Sequence, residues 1–142
     1  MVRVALAGSR DLPLDRTAAH ILTRLAKLPA GSTVLLRHPK TKGRPPGGFE
    51  QLTARLAEVL KLNVEWRKPE GSGRDQVFLR DLEMVTKADY AVAFFPTPSM
   101  EGGTGHVVES AWHKGVSIEA WWVRPDGEIE RIGEYDPSTD GP

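Results

Sequence analysis

Glu101-Gly-Gly-Thr-Gly-His-Val-Val-Glu109 follows the apolar run Tyr90-Ala-Val-Ala-Phe-Phe95 and opens a segment whose apolar residues recur at helical spacing, Val107, Val108, Ala111 and Trp112. A strand, a glycine-rich turn and a helix start, in that order, make an anion site. The glycines allow close backbone approach, and the free N–H groups of the first helical turn point at whatever lies above them. Phosphate is the usual occupant. Glu109 stands about one turn into the helix and reaches the edge of such a site. A carboxylate there is poorly placed to hold an anion and better placed for chemistry or for a ribose hydroxyl. Read alone, the same stretch is also a plain tight loop with a first-turn acid facing the helix dipole.

The flanking sequence supplies the fold. Val2, Val4, Ala5, Leu6 and Ala7 form a short buried strand that ends at Gly8-Ser9-Arg10. Asp15 is the expected N-cap of a helix reaching Leu28, with Ala18, Ala19, Ile21, Leu22, Leu25 and Ala26 on its inner side. Pro29-Ala-Gly31 breaks that helix before a second strand, Ser32 to Leu36. The run from His38 to Gly48 is crowded with proline, glycine and cations and reads as a loop. A helix from Phe49 to Leu60, a strand from Asn63 to Trp66 and a polar loop from Lys68 to Arg74 follow. A third helix spans Asp75 to Thr86, and after the strand at Tyr90 to Phe95 the fourth runs from Gly103 to Lys114, closed by Gly115. Val116 to Val123 is a further strand, and Glu128 to Tyr135 pairs back across the turn at Arg124 to Gly127.

Strands alternating with helices predict an α/β fold: a Rossmann-like, three-layer α/β/α arrangement with a mostly parallel sheet of about five strands and a C-terminal β-extension. The expected domain covers residues 1–135, with 136–142 as a flexible tail. Ligands of such sheets bind beyond the carboxyl ends of the strands. The loops Gly8 to Asp15, His38 to Gly48, Lys68 to Asp75 and Pro96 to Gly103 should therefore crowd one edge.

Bulk composition narrows the function. The chain has 142 residues, 19 Lys plus Arg against 19 Asp plus Glu, and no cysteine. Zero net charge argues against a domain built to hold duplex phosphate. Without cysteine there is no disulfide, no thiolate nucleophile and no thiol-bound zinc. No apolar stretch approaches a membrane span, and the N-terminus enters a strand without a signal-peptide layout, so a cytoplasmic protein is expected. The four histidines have no metal spacing, so neither metal nor cofactor is expected. Ser9 and Ser110 lie in no G-x-S-x-G elbow, and the dinucleotide G-x-G-x-x-G pattern is absent after the first strand.

At the ligand edge, Gly8 permits close approach, the Ser9 hydroxyl can bond a phosphate and Arg10 can pair with one bidentately. The second loop carries Arg37, His38, Lys40, Lys42 and Arg44 before Gly47-Gly48-Phe49-Glu50, which repeats the anion-site logic or else is a solvated loop. Arg80 either points along the ligand edge or pairs with Glu83 one turn on. Trp112, Trp121 and Trp122 read as core or dimer-contact residues rather than a base-stacking platform.

With these motifs in order, the chain resembles the SLOG superfamily, which contains the Lonely Guy (LOG) phosphoribohydrolases and the DNA-processing protein DprA. Gly8-Ser9-Arg10 carries part of the likeness. Gly102-Gly103-Thr104-Gly105-His106-Val107-Val108-Glu109 is similar to the LOG motif P-G-G-x-G-T-x-x-E, and Arg80-Asp-Leu-Glu-Met84 to the R-K-x-x-M segment before it. Three positions depart: Glu101 replaces the proline, His106 the threonine and Asp81 the lysine. Gly47-Gly48-Phe49-Glu50 is similar to a degenerate G-x-x-G-x-D element of small SLOG relatives.

The resemblance implies a nucleotide or phosphoribosyl ligand whose phosphate sits on Gly102, Gly103, Thr104, Gly105 and His106 with Gly8, Ser9 and Arg10. Gly47, Gly48 and Glu50 are secondary candidates. As a LOG-like enzyme it would cleave a nucleoside 5′-monophosphate to base and ribose 5-phosphate. Glu109 would then stabilise an oxocarbenium-like centre or position water, and Arg80 would hold the carboxylate or assist departure of the base. The competing readings are a nucleotide-signal sensor without turnover and, last, a DprA-like DNA-associated role, which zero net charge disfavours. LOG-like proteins are typically dimers. The adjacent Trp121 and Trp122 point to opposite faces of a strand, which independently suggests a homodimer interface. Covering of the outward tryptophan by Glu128 to Tyr135 is the alternative.

Overall fold

A computed structural model describes residues 1–39, 44–71 and 73–137. The expectations for Lys40 and Lys42, and for the tail from residue 138 onward, lie outside the described residues. The elements are β1 (Arg3–Gly8), α1 (Leu14–Ala26), β2 (Thr33–Arg37), α2 (Gly48–Val59), β3 (Asn63–Arg67), α3 (Arg74–Thr86), β4 (Tyr90–Phe95), α4 (Gly102–Lys114), β5 (Ser117–Val123) and β6 (Ile129–Tyr135). They form one six-stranded sheet in the order β3-β2-β1-β4-β5-β6. β1 to β5 run parallel, and β6 returns antiparallel along β5. The fold is a Rossmann-like α/β arrangement with the expected C-terminal β-extension.

Strand alternation sorts the core into two clusters. Val4, Leu6, Val34, Leu36, Val92 and Phe94 face Ile21 and Leu25 of α1 and Phe49 of α2. Ala5, Ala7, Ala91, Ala93 and Phe95 face Met84 and Val85 of α3 and Val107 and Ala111 of α4. Helices thus cover both faces of the parallel strands, as near-continuous apolar strands require. Each fully buried Leu, Ile or Phe contributes roughly 1.5–3 kcal/mol of transfer free energy.

The structure corrects two readings of α1. Its N-cap is Pro13, whose carbonyl accepts the Thr17 N–H at 3.1 Å and the Thr17 hydroxyl at 2.9 Å, so Asp15 lies in the first turn instead of capping it. The buried stripe is Thr17, Ile21 and Leu25 at four-residue spacing; Ala19, Leu22 and Ala26 are exposed. A helix packed on one face hides a narrower stripe than six apolar residues suggested.

At the other end, β6 pairs Arg131 with Trp121 and Glu130 with Trp122. Trp121 packs against the first cluster, with the Arg24 and Arg131 guanidinium carbons 5.3 and 4.7 Å from its ring centroid. Both Trp121 and Trp122 bury an indole nitrogen that has no hydrogen-bond partner among the described residues.

Gly8 ends β1 because nothing larger fits: an added Cβ would overlap the Phe49 ring and the Leu12 side chain. Phe49 is only 2% exposed and cannot swing away. Gly8→Ala should therefore cost ~1–3 kcal/mol through overpacking, read as a lowered urea midpoint at unchanged slope.

Candidate functional site

The sheet order places a switch point between β1 and β4, where successive crossovers leave in opposite directions. The loops after those two strands part there and leave a crevice. A cleft of about 1210 Å³ occupies this edge. All four strand-to-helix loops contribute to it: Ser9 and Arg10, Pro39 and Arg44, Gly71 and Gly73, Thr97 and Glu101.

Three helices begin at this cleft, and none has a side-chain cap. The N-caps of α2, α3 and α4 are Gly47, Gly73 and Glu101, all lining the cleft. In α4 the first helical bond is Gly105 N–H to the Glu101 carbonyl at 3.3 Å, so the N–H groups of Gly102, Gly103 and Thr104 precede it. The glycines of this turn serve different ends. Gly102 has φ +73°, which a side chain would strain, and a Cβ on Gly105 would overlap the Met100 carbonyl oxygen. Gly103 has room: its Cβ would stand 3.5 Å from Arg37 Nη1, an ordinary contact.

Arg37, the last residue of β2, holds the floor of the cleft together. Its Nη2 donates to Glu50 Oε1 at 3.0 Å, to the Gly8 carbonyl at 3.0 Å and to Thr104 Oγ1 at 3.1 Å, while Nε donates to Glu50 Oε1 at 3.2 Å. The two side chains are 13% and 7% exposed. One guanidinium therefore ties the end of β1 to the starts of α2 and α4. Thr104, 2% exposed, is committed to Arg37 as an acceptor and keeps only its own hydroxyl proton to donate.

Arg80 also lines the cleft. It donates through Nε and Nη2 to Asp81 Oδ1 at 3.1 and 3.0 Å and through Nη1 to the His38 carbonyl at 3.4 Å. Glu83, its expected helix partner, instead pairs with Arg67. With Arg37 and Arg80 neutralised by Glu50 and Asp81, the cleft's remaining described arginines are Arg10, Arg44 and Arg74, facing Asp11 and Glu101.

Glu109 lies elsewhere. It is exposed and lines a second cavity of about 720 Å³ with Phe78, Met100, His106, Trp112 and Tyr135. Arg80 and Glu109 thus line different cavities and are not brought into contact. Gly102, Gly103 and Arg74 line both. His106 opens to this second cavity as well. Its Nδ1 is 3.1 Å from Asp81 Oδ2, and its ring stacks on Phe78 with centroids 4.0 Å apart. Gly47 and Glu50, the secondary candidates, line the main cleft, whereas Gly48 packs against Leu14. Among the described residues, no three His, Cys, Asp or Glu side chains gather as a metal site, and no helix is long and apolar enough to cross a membrane.

No protein-family model matches the chain, and no curated protein does.

Sequence reading grouped Arg37 with the loop cations and missed its role as a clamp. The available signal was an arginine ending one buried strand and a glutamate in the first turn of the next helix. It also missed the Asp81–His106 pair, whose members are 25 residues apart and meet only because α3 and α4 pack together.

Removing Arg37 leaves Glu50 buried and unpaired. Arg37→Met should cost ~3–5 kcal/mol, and adding Glu50→Gln should recover part of it. A double-mutant cycle in urea should return a coupling well above 1 kcal/mol, as expected of a desolvated charge pair.

Proposed function

We propose that the cleft binds a nucleotide or another phosphoribosyl ligand, its phosphate on the N–H groups of Gly102, Gly103 and Thr104 and in reach of Ser9 and Arg10. The observation that carries this reading is the convergence of three helix N-termini without side-chain caps at the sheet's switch point. Such ends are satisfied by water or by an anion, and their dipoles favour the anion. The SLOG-like residues Gly8, Ser9, Arg10, Gly102, Gly103 and Thr104 line the same cleft, which supports the same ligand class.

Catalysis is the second reading. It draws on Glu109, which flanks the cavity on the other side of the Gly102–Gly103 backbone. The separate positions of Arg80 and Glu109 favour binding over a concerted pair. If the protein is a phosphoribohydrolase, incubation with AMP releases adenine and ribose 5-phosphate, and Glu109→Ala binds AMP without releasing base. If it is a sensor, AMP is recovered intact.

The binding proposal has a direct test. Gly103→Val leaves the backbone unstrained, so its melting temperature without ligand should stay near that of the wild type. Its affinity for ribose 5-phosphate should fall tenfold or more, about 1.4 kcal/mol, because a branched side chain covers the N–H groups. Thermal shift across a ligand series reads both. No shift of the wild-type protein by any nucleotide or by ribose 5-phosphate at millimolar concentration rejects the reading.

A homodimer belongs to the same proposal. Trp112, 60% exposed on α4, is its strongest support, since large apolar rings are favoured at interfaces. Light scattering at micromolar concentration should give twice the chain mass, and Trp112→Glu should halve it. A wild-type particle of single-chain mass rejects the dimer.

A further inference from the structure

The hydrogen-bond pattern around His106 fixes its protons. Asp81 is fully buried, and its Oδ1 already accepts twice from Arg80. Its Oδ2 faces His106 Nδ1 at 3.1 Å, and a carboxylate only accepts. The other neighbour of Nδ1 is Ser110 Oγ at 3.4 Å, whose one proton goes to the His106 carbonyl at 2.8 Å. Nδ1 therefore meets two acceptors and must itself carry hydrogen. In the neutral ring the lone pair then resides on Nε2. That nitrogen has no partner among the described residues. Among the described residues Nε2 is not one of the buried side-chain atoms left without a partner, and the His106 side chain lines the second cavity.

The cavity that His106 lines has the character of a site for a flat ring. Trp112 and Tyr135 provide aromatic surface, Met100 an adaptable apolar edge, and the Phe78 ring lies against His106 with the Arg74 guanidinium carbon 5.4 Å from its centroid. Phe78 stacks on the imidazole at 22° between planes, which holds the ring against rotation from its second face. The ring is thereby fixed by Asp81 at one edge and by Phe78 across its plane.

We propose that this cavity binds a planar heteroaromatic base bearing an amino group, that His106 Nε2 accepts a hydrogen bond from that group, and that Asp81 is the positioning residue that sets the tautomer. The inference deepens the nucleotide reading by naming a base subsite next to the phosphate cleft. The two cavities share Gly102 and Gly103, so one nucleotide reaches both. An acceptor-only nitrogen gives specificity. A base that donates is held, and an isosteric base without a donor leaves Nε2 desolvated and unpaired.

Two measurements test it. Nitrogen-15 spectra of histidine-labelled protein at mildly alkaline pH should show His106 protonated on Nδ1, and Asp81→Asn should shift the population toward the Nε2–H form. A wild-type Nε2–H ring overturns the proposal. In the second, phosphate-free nucleosides are titrated while Trp112 fluorescence is followed against a Trp112→Phe control. Adenosine should bind at least tenfold more tightly than purine riboside, which lacks the amino group, and His106→Leu should erase that preference. Equal affinities in the wild type, or a preference that survives His106→Leu, overturn it. Ribose 5-phosphate is titrated in parallel. Its failure to bind while adenosine does rejects the phosphate cleft and leaves the base subsite standing, and the reverse result rejects the base subsite alone.

Discussion

The buried pairing of Arg37 with Glu50 is the constraint on which the ligand edge depends. Strand ends at the carboxyl edge of a parallel sheet diverge, and the sheet's own hydrogen bonds stop where the loops begin. Something beyond the ladder must fix the first residues of α2 and α4 relative to the end of β1. Arg37 does so with one planar group, donating to Gly8, Glu50 and Thr104 at 3.0–3.1 Å. A lysine could place a charge there but could not span three directions in a fixed plane. The desolvation of both charges is offset only because Glu50 and the carbonyl of Gly8 are in place together.

The two faces of the sheet differ in a way that bears on this edge. Toward α1 and α2 the strands present Val, Leu and Phe; toward α3 and α4, β1 and β4 present Ala5, Ala7, Ala91 and Ala93, flanked by Leu35, Phe95 and Ile118. Small residues let a helix pair settle close to the sheet, and a close-packed interior transmits that placement. The start of α4 is thereby brought within reach of Arg37, and α3 and α4 are packed tightly enough for Asp81 to be sealed between them with 0% exposure. The alanines of β1 and β4 thus lie beneath the helix pair that carries Thr104 and Asp81.

Most of the fold was legible because its signals are local. Apolar runs of strand length, helical spacing and glycine breaks lie within a few residues of one another, and the expected elements match the observed ones to within two residues. The helix face of α1 was read less well, since alanine is compatible with either side and does not reveal which is buried. The site was legible as a set of loops, because the switch-point rule depends only on topology. Its chemistry was not. Arg37 with Glu50, and Asp81 with His106, are side-chain meetings across different helices and strands, and no spacing rule encodes them. Gly8 and Gly105 carried a second meaning that sequence could not separate from ligand approach: Phe49 fills the space above one, and the Met100 carbonyl crowds the other.

Gly102 and Gly103 are different, and the difference bears on function. Among the described residues, beyond its chain neighbours and the helix's own backbone, a Cβ on either meets no atom closer than 3.5 Å, so packing there leaves the space above them open. They line both cavities together with Arg74, and at these two positions the lining is bare backbone. One helix serves both cavities. Gly102, Gly103 and Thr104 of its first turn line the main cleft, while His106, Glu109 and Trp112, three residues apart, line the smaller cavity from successive turns. In the proposed reading a ligand with an anionic end and an aromatic end lies across these two glycines, where any side chain would stand in its path. The left-handed turn at Gly102 lets the chain enter the helix without presenting one, and in that reading the open space at Gly103 is where the ligand crosses.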